Sequence, residues 1–173
     1  VPRPAIRQKE RDFMHRRRED ILNRLKKQIE VKGHMVAAAS GSGLSAKYTI
    51  VGGADLIVAL PSGFYRQMGR SSKSCYLPFA NTNQLVMARG ASELLPIVGE
   101  VPVLFGLCAT DPHIQLDTYL DEIAENGFCG VINYPSISFL DGIYRESLED
   151  MGINFEAEVE MISLARKKGL VTA

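Results

Sequence analysis

Four times along this chain a short apolar run ends in Gly, Ser, Asp or Asn, and a helix-like segment follows. Met35–Ala39 runs into Ser40-Gly41-Ser42-Gly43, and Leu56–Leu60 into Pro61-Ser62-Gly63. Val103–Leu107 runs into Cys108-Ala109-Thr110-Asp111-Pro112, and Val131-Ile132 into Asn133-Tyr134-Pro135-Ser136. Strands covered by helices on both faces read as continuous apolar runs. Their alternation with helical stretches implies βαβ units around a parallel sheet. In such folds the loops that follow the strands share one edge and carry the ligand site. The pattern places a site before it names any chemistry.

Punctuation by Gly, Pro and Asn sets the expected bounds. Strands are expected at Met35–Ala39, Asp55–Leu60, Val101–Leu107 and Gly130–Asn133, with Leu170-Val171-Thr172 opening a fifth. Helices are expected from Leu44–Ala46 to Gly52-Gly53, from Asn83 to Leu95, and from Pro112 to Glu125. Two more are expected over Asp141–Met151 and Glu156–Lys168. Pro61–Ala80 reads as a long loop, and long loops inside compact domains tend to be functional. The fold class is α/β: a partial TIM (β/α)8-type barrel of four βα units plus the start of a fifth parallel strand, with an N-terminal helix. A closed barrel takes eight strands and about 250 residues. With 173 residues, this is either a fragment of a longer barrel or a chain whose open edges another copy covers, making a homo-oligomer.

The formal charge of zero hides an asymmetry. Residues 1–34 carry 11 Lys/Arg against 5 Asp/Glu, and residues 35–173 carry 9 against 15. The domain reading follows: a basic linker and N-terminal helix over 1–33, then the incomplete barrel over 34–173. Residues 1–10 read as the linker. From Arg11 to Val31, Ile21, Leu25 and Ile29 recur every four residues and form one apolar stripe, with Gly33 as the stop. Arg16-Arg17-Arg18 reads as the solvated face of a docking helix, because no groove-reading module accompanies the charges, and this argues against nucleic acid. No apolar stretch reaches the length of a membrane span, and the basic start lacks the apolar core of a secretory signal. Cys75, Cys108 and Cys129 show no paired spacing, and His15, His34 and His113 sit near no cysteine pair, which points to a reduced, cytoplasmic setting without structural zinc.

The candidate site is built from strand ends. Ser40, Gly41, Ser42, Gly43 and Ser45 join a strand to a helix, where close backbone approach and free N–H groups favour an anion. Ser62, Gly63, Arg66 and Arg70 follow the second strand. Arg suits bidentate carboxylate or phosphate binding, and Gly63 and Gly69 would hinge a lid. Asp111 is the candidate general acid or base, or an N-cap with Pro112 at the first helical position. Asn133, whose amide both donates and accepts, is the second candidate catalytic residue. Cys108 reads as a small buried hydrophobe, and His113 falls in a first helical turn that disfavours its protonation.

Several short motifs fall in one order: Ser42-Gly43-Leu44-Ser45-Ala46-Lys47, Gly53-Ala54-Asp55-Leu56-Ile57-Val58, Ser62-Gly63 with Arg66 and Gly69-Arg70, Thr110-Asp111-Pro112, Asn133 with Pro135, and Glu158-Val159-Glu160-Met161-Ile162. Over residues 17–173 the chain resembles the phosphoenolpyruvate hydrolase-like family of TIM-barrel signal transduction proteins. More distantly it is similar to the phosphoenolpyruvate mutase and isocitrate lyase superfamily. The resemblance implies a hydrolase or lyase acting on a small anionic keto-acid at the strand ends. The alternative is a non-catalytic anion-binding or regulatory module, the C-terminal part of a nucleotide-binding protein. The superfamily implies Mg²⁺ held by acidic residues on strands three and four, where this chain has Gly106, Cys108 and Asn133. Only Asp111 remains nearby, so the cofactor stays open.

Overall fold

The computed structural model describes residues 4–173, with side chains from Arg17 onward. Residues 1–3, and the Arg16 side chain of the arginine triplet, lie outside the described residues. Five strands, β1 (Ala37–Ala39), β2 (Leu56–Ala59), β3 (Val103–Leu107), β4 (Gly130–Asn133) and β5 (Val171–Thr172), form one sheet. Their order in space is their order in sequence, and every pairing is parallel. Sequential parallel strands joined by helices are the (β/α)8 arrangement over its first four units. The chain is therefore a partial TIM-barrel-like α/β fold.

Helices connect the strands: α1 (Pro4–Lys32), α2 (Gly43–Val51), α3 (Pro61–Gln67), α4 (Thr82–Arg89), α5 (Leu116–Glu125), α6 (Gly142–Asp150) and α7 (Phe155–Lys167). Local chemistry explains their starts. Ser42 and Ser45 form a reciprocal capping box on α2, Asn81 caps α4 and Asn154 caps α7, each satisfying N–H groups that the first turn leaves free. In α7, Glu156 and Glu158 sit in the first turn and Arg166 and Lys167 in the last, matching the helix dipole.

Alternation along the strands separates two cores. Ile57, Ala59, Val103, Phe105, Leu107 and Val131 pack outward with helix residues such as Val86, Leu120, Ile123 and Met161. Leu56, Val58, Leu104 and Val171 form a second cluster with Ile21 and Leu25 of α1. Helix α1 thus covers the inner face at the N-terminal end of the sheet. Arg18 Nε donates to the Leu170 carbonyl at 3.0 Å, and Arg24 Nη1 to that of Glu100 at 3.0 Å. A cavity of about 510 Å³ between α1 and the turn before β3, lined by Arg17, Arg24, Val98 and Pro102, marks the same end.

Four expectations need correction. Pro61–Ala80 is not a loop: it holds α3 and a 3₁₀ turn over Ser72–Tyr76. Pro61 is preorganised for the first helical position, and burial of Phe64 in the larger core fixes the segment, so Gly63 is no hinge of a lid. The helix predicted over Asn83–Leu95 is α-helical only to Arg89 and continues as a π-helical turn over Gly90–Leu94; a Cβ at Gly90 would lie 2.7 Å from Phe128 Cζ. Helix α5 begins at Leu116 rather than Pro112, so Asp111 is not its cap and His113 is not in its first turn. The α1 helix begins at Pro4, inside the stretch read as a linker. Its apolar stripe is buried at Ile21 and Leu25, while Ile29 remains 45% exposed.

Candidate functional site

The loops after β1 and β2 meet backbone to backbone. A Cβ at Gly41 would overlap the Gly63 carbonyl, and one at Gly63 would lie 3.3 Å from the Ser40 carbonyl. The two glycines of the predicted anion loops therefore serve first to let those loops cross. Ser42 Oγ lies 3.4 Å from Gln67 Oε1, so the α2 N-terminus rests against the last turn of α3. Ser40 and Ser62 are buried at 1% exposure, and the Ser40 hydroxyl has no hydrogen-bond partner among the described residues. Arg66 and Arg70 are exposed, and Arg66 Nη1 donates to Ser72 Oγ at 3.1 Å.

Strand parity decides which side chains face the barrel mouth. Gly106 pairs with Ile132 and Leu107 with Asn133. Leu107 belongs to the outward core, whereas Ile132 packs with the inner cluster beside Leu60. Asn133 accordingly turns toward α7, where its Nδ2 donates to Glu158 Oε2 at 2.8 Å and its buried Oδ1 has no partner. Two residues after Ile132 and just past β4, Tyr134 falls on the inward side by the same alternation. Its N–H donates to the Leu107 carbonyl at 3.3 Å, extending the ladder. Its hydroxyl lies 3.5 Å from Cys75 Sγ. Burial raises the pKa of this phenol, while the neighbouring Ser62 hydroxyl and Arg66 charge oppose the rise.

Asp111 is engaged on the outer side as well. Its carboxylate accepts from Asn81 Nδ2 at 2.7 Å, Asn83 Nδ2 at 2.9 Å, the His113 N–H at 2.9 Å and the His113 ring at 3.0 Å. Burial alone would raise its pKa, but these donors outweigh burial and leave it below the usual carboxylate range. Asn83, fully buried, also bridges the N–H and carbonyl of Cys108. Asp111 and His113 line a groove of about 460 Å³ between α4 and α5, bordered by Gln84, Tyr119 and Glu122. Glu158, at 3% exposure, accepts from Asn133 Nδ2, Ser136 Oγ and the Ile137 N–H, each at 2.8 Å.

The structure therefore brings Ser40–Ser45, Ser62 and Gly63 together, leaves Arg66 and Arg70 exposed on or just beyond α3, and turns the Asp111 and Asn133 side chains toward the surrounding helices. Sequence reasoning missed Tyr134, Asn83 and Glu158. Glu158 was detectable, since it sits on the same α7 stripe as buried Met161 and Ala165. Mg²⁺ is held through one or two free carboxylates, with waters and substrate oxygens completing its octahedron. Among the described residues no cluster of His, Cys, Asp and Glu could hold a metal, and the carboxylates of Asp111 and Glu158 are committed to donors of their own chain. This donor set does not fit Mg²⁺. No described helix is long and apolar enough to cross a membrane.

A profile of the phosphoenolpyruvate hydrolase-like family matches residues 20–173. The ToMV resistance protein Tm-1(GCR237) of Solanum lycopersicum is 45% identical over 156 residues, 90% of this chain and 21% of that protein. The ToMV susceptible protein tm-1(GCR26) of the same plant is 45% identical over 152 residues, 88% of this chain and 20% of that protein. The chain thus spans about a fifth of the length of these curated relatives. Resistant and susceptible forms match equally well, so the likeness carries nothing specific to resistance.

Proposed function

The chain belongs to the phosphoenolpyruvate hydrolase-like family, and we propose that it binds a small anionic keto-acid of the phosphoenolpyruvate or phosphonopyruvate kind at the C-terminal ends of its strands, and acts on it as a hydrolase or lyase. The observation that carries this reading is the crossing of Gly41 over Gly63. That crossing sets the N-terminus of α2 beside the Ser62–Arg66 face of α3. Helix α2 has no acidic residue in its first turn, and its capping box engages the N–H groups of Ser42 and Ser45. Gly43 and Leu44 lie between them with N–H groups that have no intrahelical acceptor. Such a terminus attracts a phosphonate or carboxylate. Arg66, exposed on α3 and hydrogen-bonded to Ser72, supplies a cation for the second negative group.

Bond cleavage next to a carbonyl develops enolate charge, and fixed dipoles that meet this charge lower the barrier. Asp111 serves this scheme as a fixed negative anchor of the loop after β3. A carboxylate held ionised by four donors is poorly placed to give up or take a proton. That saturation also favours the second reading, a module that binds the anion without turnover.

Calorimetric titration with phosphonopyruvate and with inorganic phosphate, alongside NMR of the incubated mixture, tests both readings. Binding of both anions with appearance of cleavage products supports the enzyme. Binding without products supports the module. A chain that takes up neither anion, with no rise in melting temperature at millimolar ligand, would overturn the proposal.

A further inference from the structure

The geometry points to the Tyr134 hydroxyl as the hydrogen-bond donor that meets the carbonyl oxygen of the bound keto-acid, a role that rests on the anion site proposed above. The argument starts with the single proton on each neighbour. Cys75 donates its thiol proton to the Ser72 carbonyl at 3.1 Å. The Tyr134 hydroxyl, 3.5 Å from the same sulfur, is then the donor of that pair, and sulfur is a weak acceptor. Tyr134 thus spends its own proton on the poorest acceptor available. A carbonyl or enolate oxygen entering the mouth is a far better acceptor, and the exchange leaves no protein group unsatisfied, because the sulfur was never an obligatory partner. Only a hydrogen bond shifts in this step, and no bond to Tyr134 forms or breaks.

Position and rigidity agree with that role. Tyr134 directly follows β4 and continues its ladder to the Leu107 carbonyl, so the alternation that turns Ile132 inward assigns Tyr134 to the same side. Its ring is held edge-on between Tyr76 at 6.2 Å and Phe139 at 6.3 Å, and those two rings lie 6.1 Å apart. Lys73 Nζ sits 4.9 Å from the Phe139 ring and 5.4 Å from that of Tyr76. The triangle fixes the ring and leaves the hydroxyl free to rotate, the condition for a preorganised donor. A phenol is protonated at neutral pH, and burial only adds to this by raising the pKa. Sequence alternation alone would have marked Tyr134 instead of Asn133, had the phase of β4 been known.

The test compares the full chain with Tyr134→Phe, which keeps the ring in its aromatic triangle and removes only the hydroxyl. Calorimetry with two probes separates the carbonyl from the phosphorus group. Phosphonopyruvate affinity should fall about three- to tenfold, as for a lost hydrogen bond to a neutral carbonyl, while inorganic phosphate affinity holds within about twofold. In protein labelled at the tyrosine ring carbon bearing oxygen, the resonance absent from Tyr134→Phe should move when phosphonopyruvate is added to the unsubstituted chain. Cys75→Ala, which removes the weak acceptor, should bind phosphonopyruvate at least as tightly. If the unsubstituted chain binds phosphonopyruvate and Tyr134→Phe binds it equally well, this inference fails while the anion site stands. Equal loss of both probes in Tyr134→Phe would likewise overturn it. If the unsubstituted chain binds neither probe, the site itself fails and the inference with it.

Discussion

Removing one buried amide should loosen the whole loop after β3. Asn83 is fully buried and makes three hydrogen bonds: Nδ2 to the Cys108 carbonyl at 3.0 Å, Nδ2 to Asp111 Oδ2 at 2.9 Å, and Oδ1 from the Cys108 N–H at 2.9 Å. Asn83→Ala strands a backbone donor and a backbone acceptor, and takes one donor from a carboxylate that keeps three others. Each buried group left unsatisfied costs about 1–3 kcal/mol. The three share one partner and are not additive, and water entering the vacated space recovers part, so the net loss is about 3–5 kcal/mol. That is a large share of the roughly 5–15 kcal/mol that separates folded from unfolded domains.

The chain has no tryptophan, so far-UV circular dichroism in urea is the natural assay. With a slope of about 2 kcal/mol/M, the midpoint should drop by about 1.5–2.5 M at neutral pH. Acid gives a second reading. The folded pKa of Asp111 lies below its ordinary value, so the unfolded chain binds more protons between the two pKa values and stability rises with pH there. The contribution is whole above the unfolded pKa, about 3.9, and is lost as pH falls through the folded one. Asn83→Ala removes a donor while burial persists, so the folded pKa climbs. The gap between variant and parent should therefore narrow as pH falls below about 4. A midpoint shift under about 0.5 M, or a gap that widens in acid, would refute the account of Asn83 as the clasp of this loop.

Other perturbations read other parts of the design. Gly41→Ala forces a side chain into the Gly63 carbonyl; it should destabilise by at least about 1–3 kcal/mol and weaken phosphonopyruvate binding together with stability, both measurable in one set of urea and titration experiments. Glu158→Gln turns an amide toward one of three donors and should cost about 1–3 kcal/mol; an unchanged melting temperature would show that the carboxylate is dispensable. Burial raises the Cys108 thiol pKa and pushes that of Cys129 up to about 11. Since the thiolate is the reactive form, alkylation of the native chain at neutral pH should be slow, with half-buried Cys108 ahead of Cys75 and Cys129 by peptide mapping. Modification of Cys129 first would contradict the packing described.

The barrel segment was legible because buried parallel strands announce themselves as apolar runs, and β4 was found to the residue. What misled was the reading of small residues as loop. Pro61-Ser62-Gly63 looks like a turn, yet proline starts a helix as readily as it breaks one, and Phe64 supplies the core contact that decides the case. Gly41 was read as letting backbone approach a ligand and Gly63 as part of a lid, but what each approaches is the other loop's backbone. Asp111 looked like a cap because Pro112 follows it. Its carboxylate is instead drawn to Asn81 and Asn83, nearly thirty residues earlier in the chain, a pairing no local pattern reveals.

One kind of signal would have done better. Asn83 precedes Val86 and Gly90 on the buried face of its helix, and Glu158 precedes Met161 and Ala165 on the buried face of α7. Both are polar residues at positions that the helical period reserves for core. Such a residue survives there only with its hydrogen bonds made, so it predicts a partner across the interface even when the partner cannot be named. In this fold the partners are the segments just after β3 and β4, the Cys108–Asp111 loop and the Asn133–Ile137 turn. The helices therefore hold the two loops in place from outside. Asn133 and Asp111 are taken up by that scaffold, and the inward-facing Tyr134 is left as the polar group that β4 presents to the mouth.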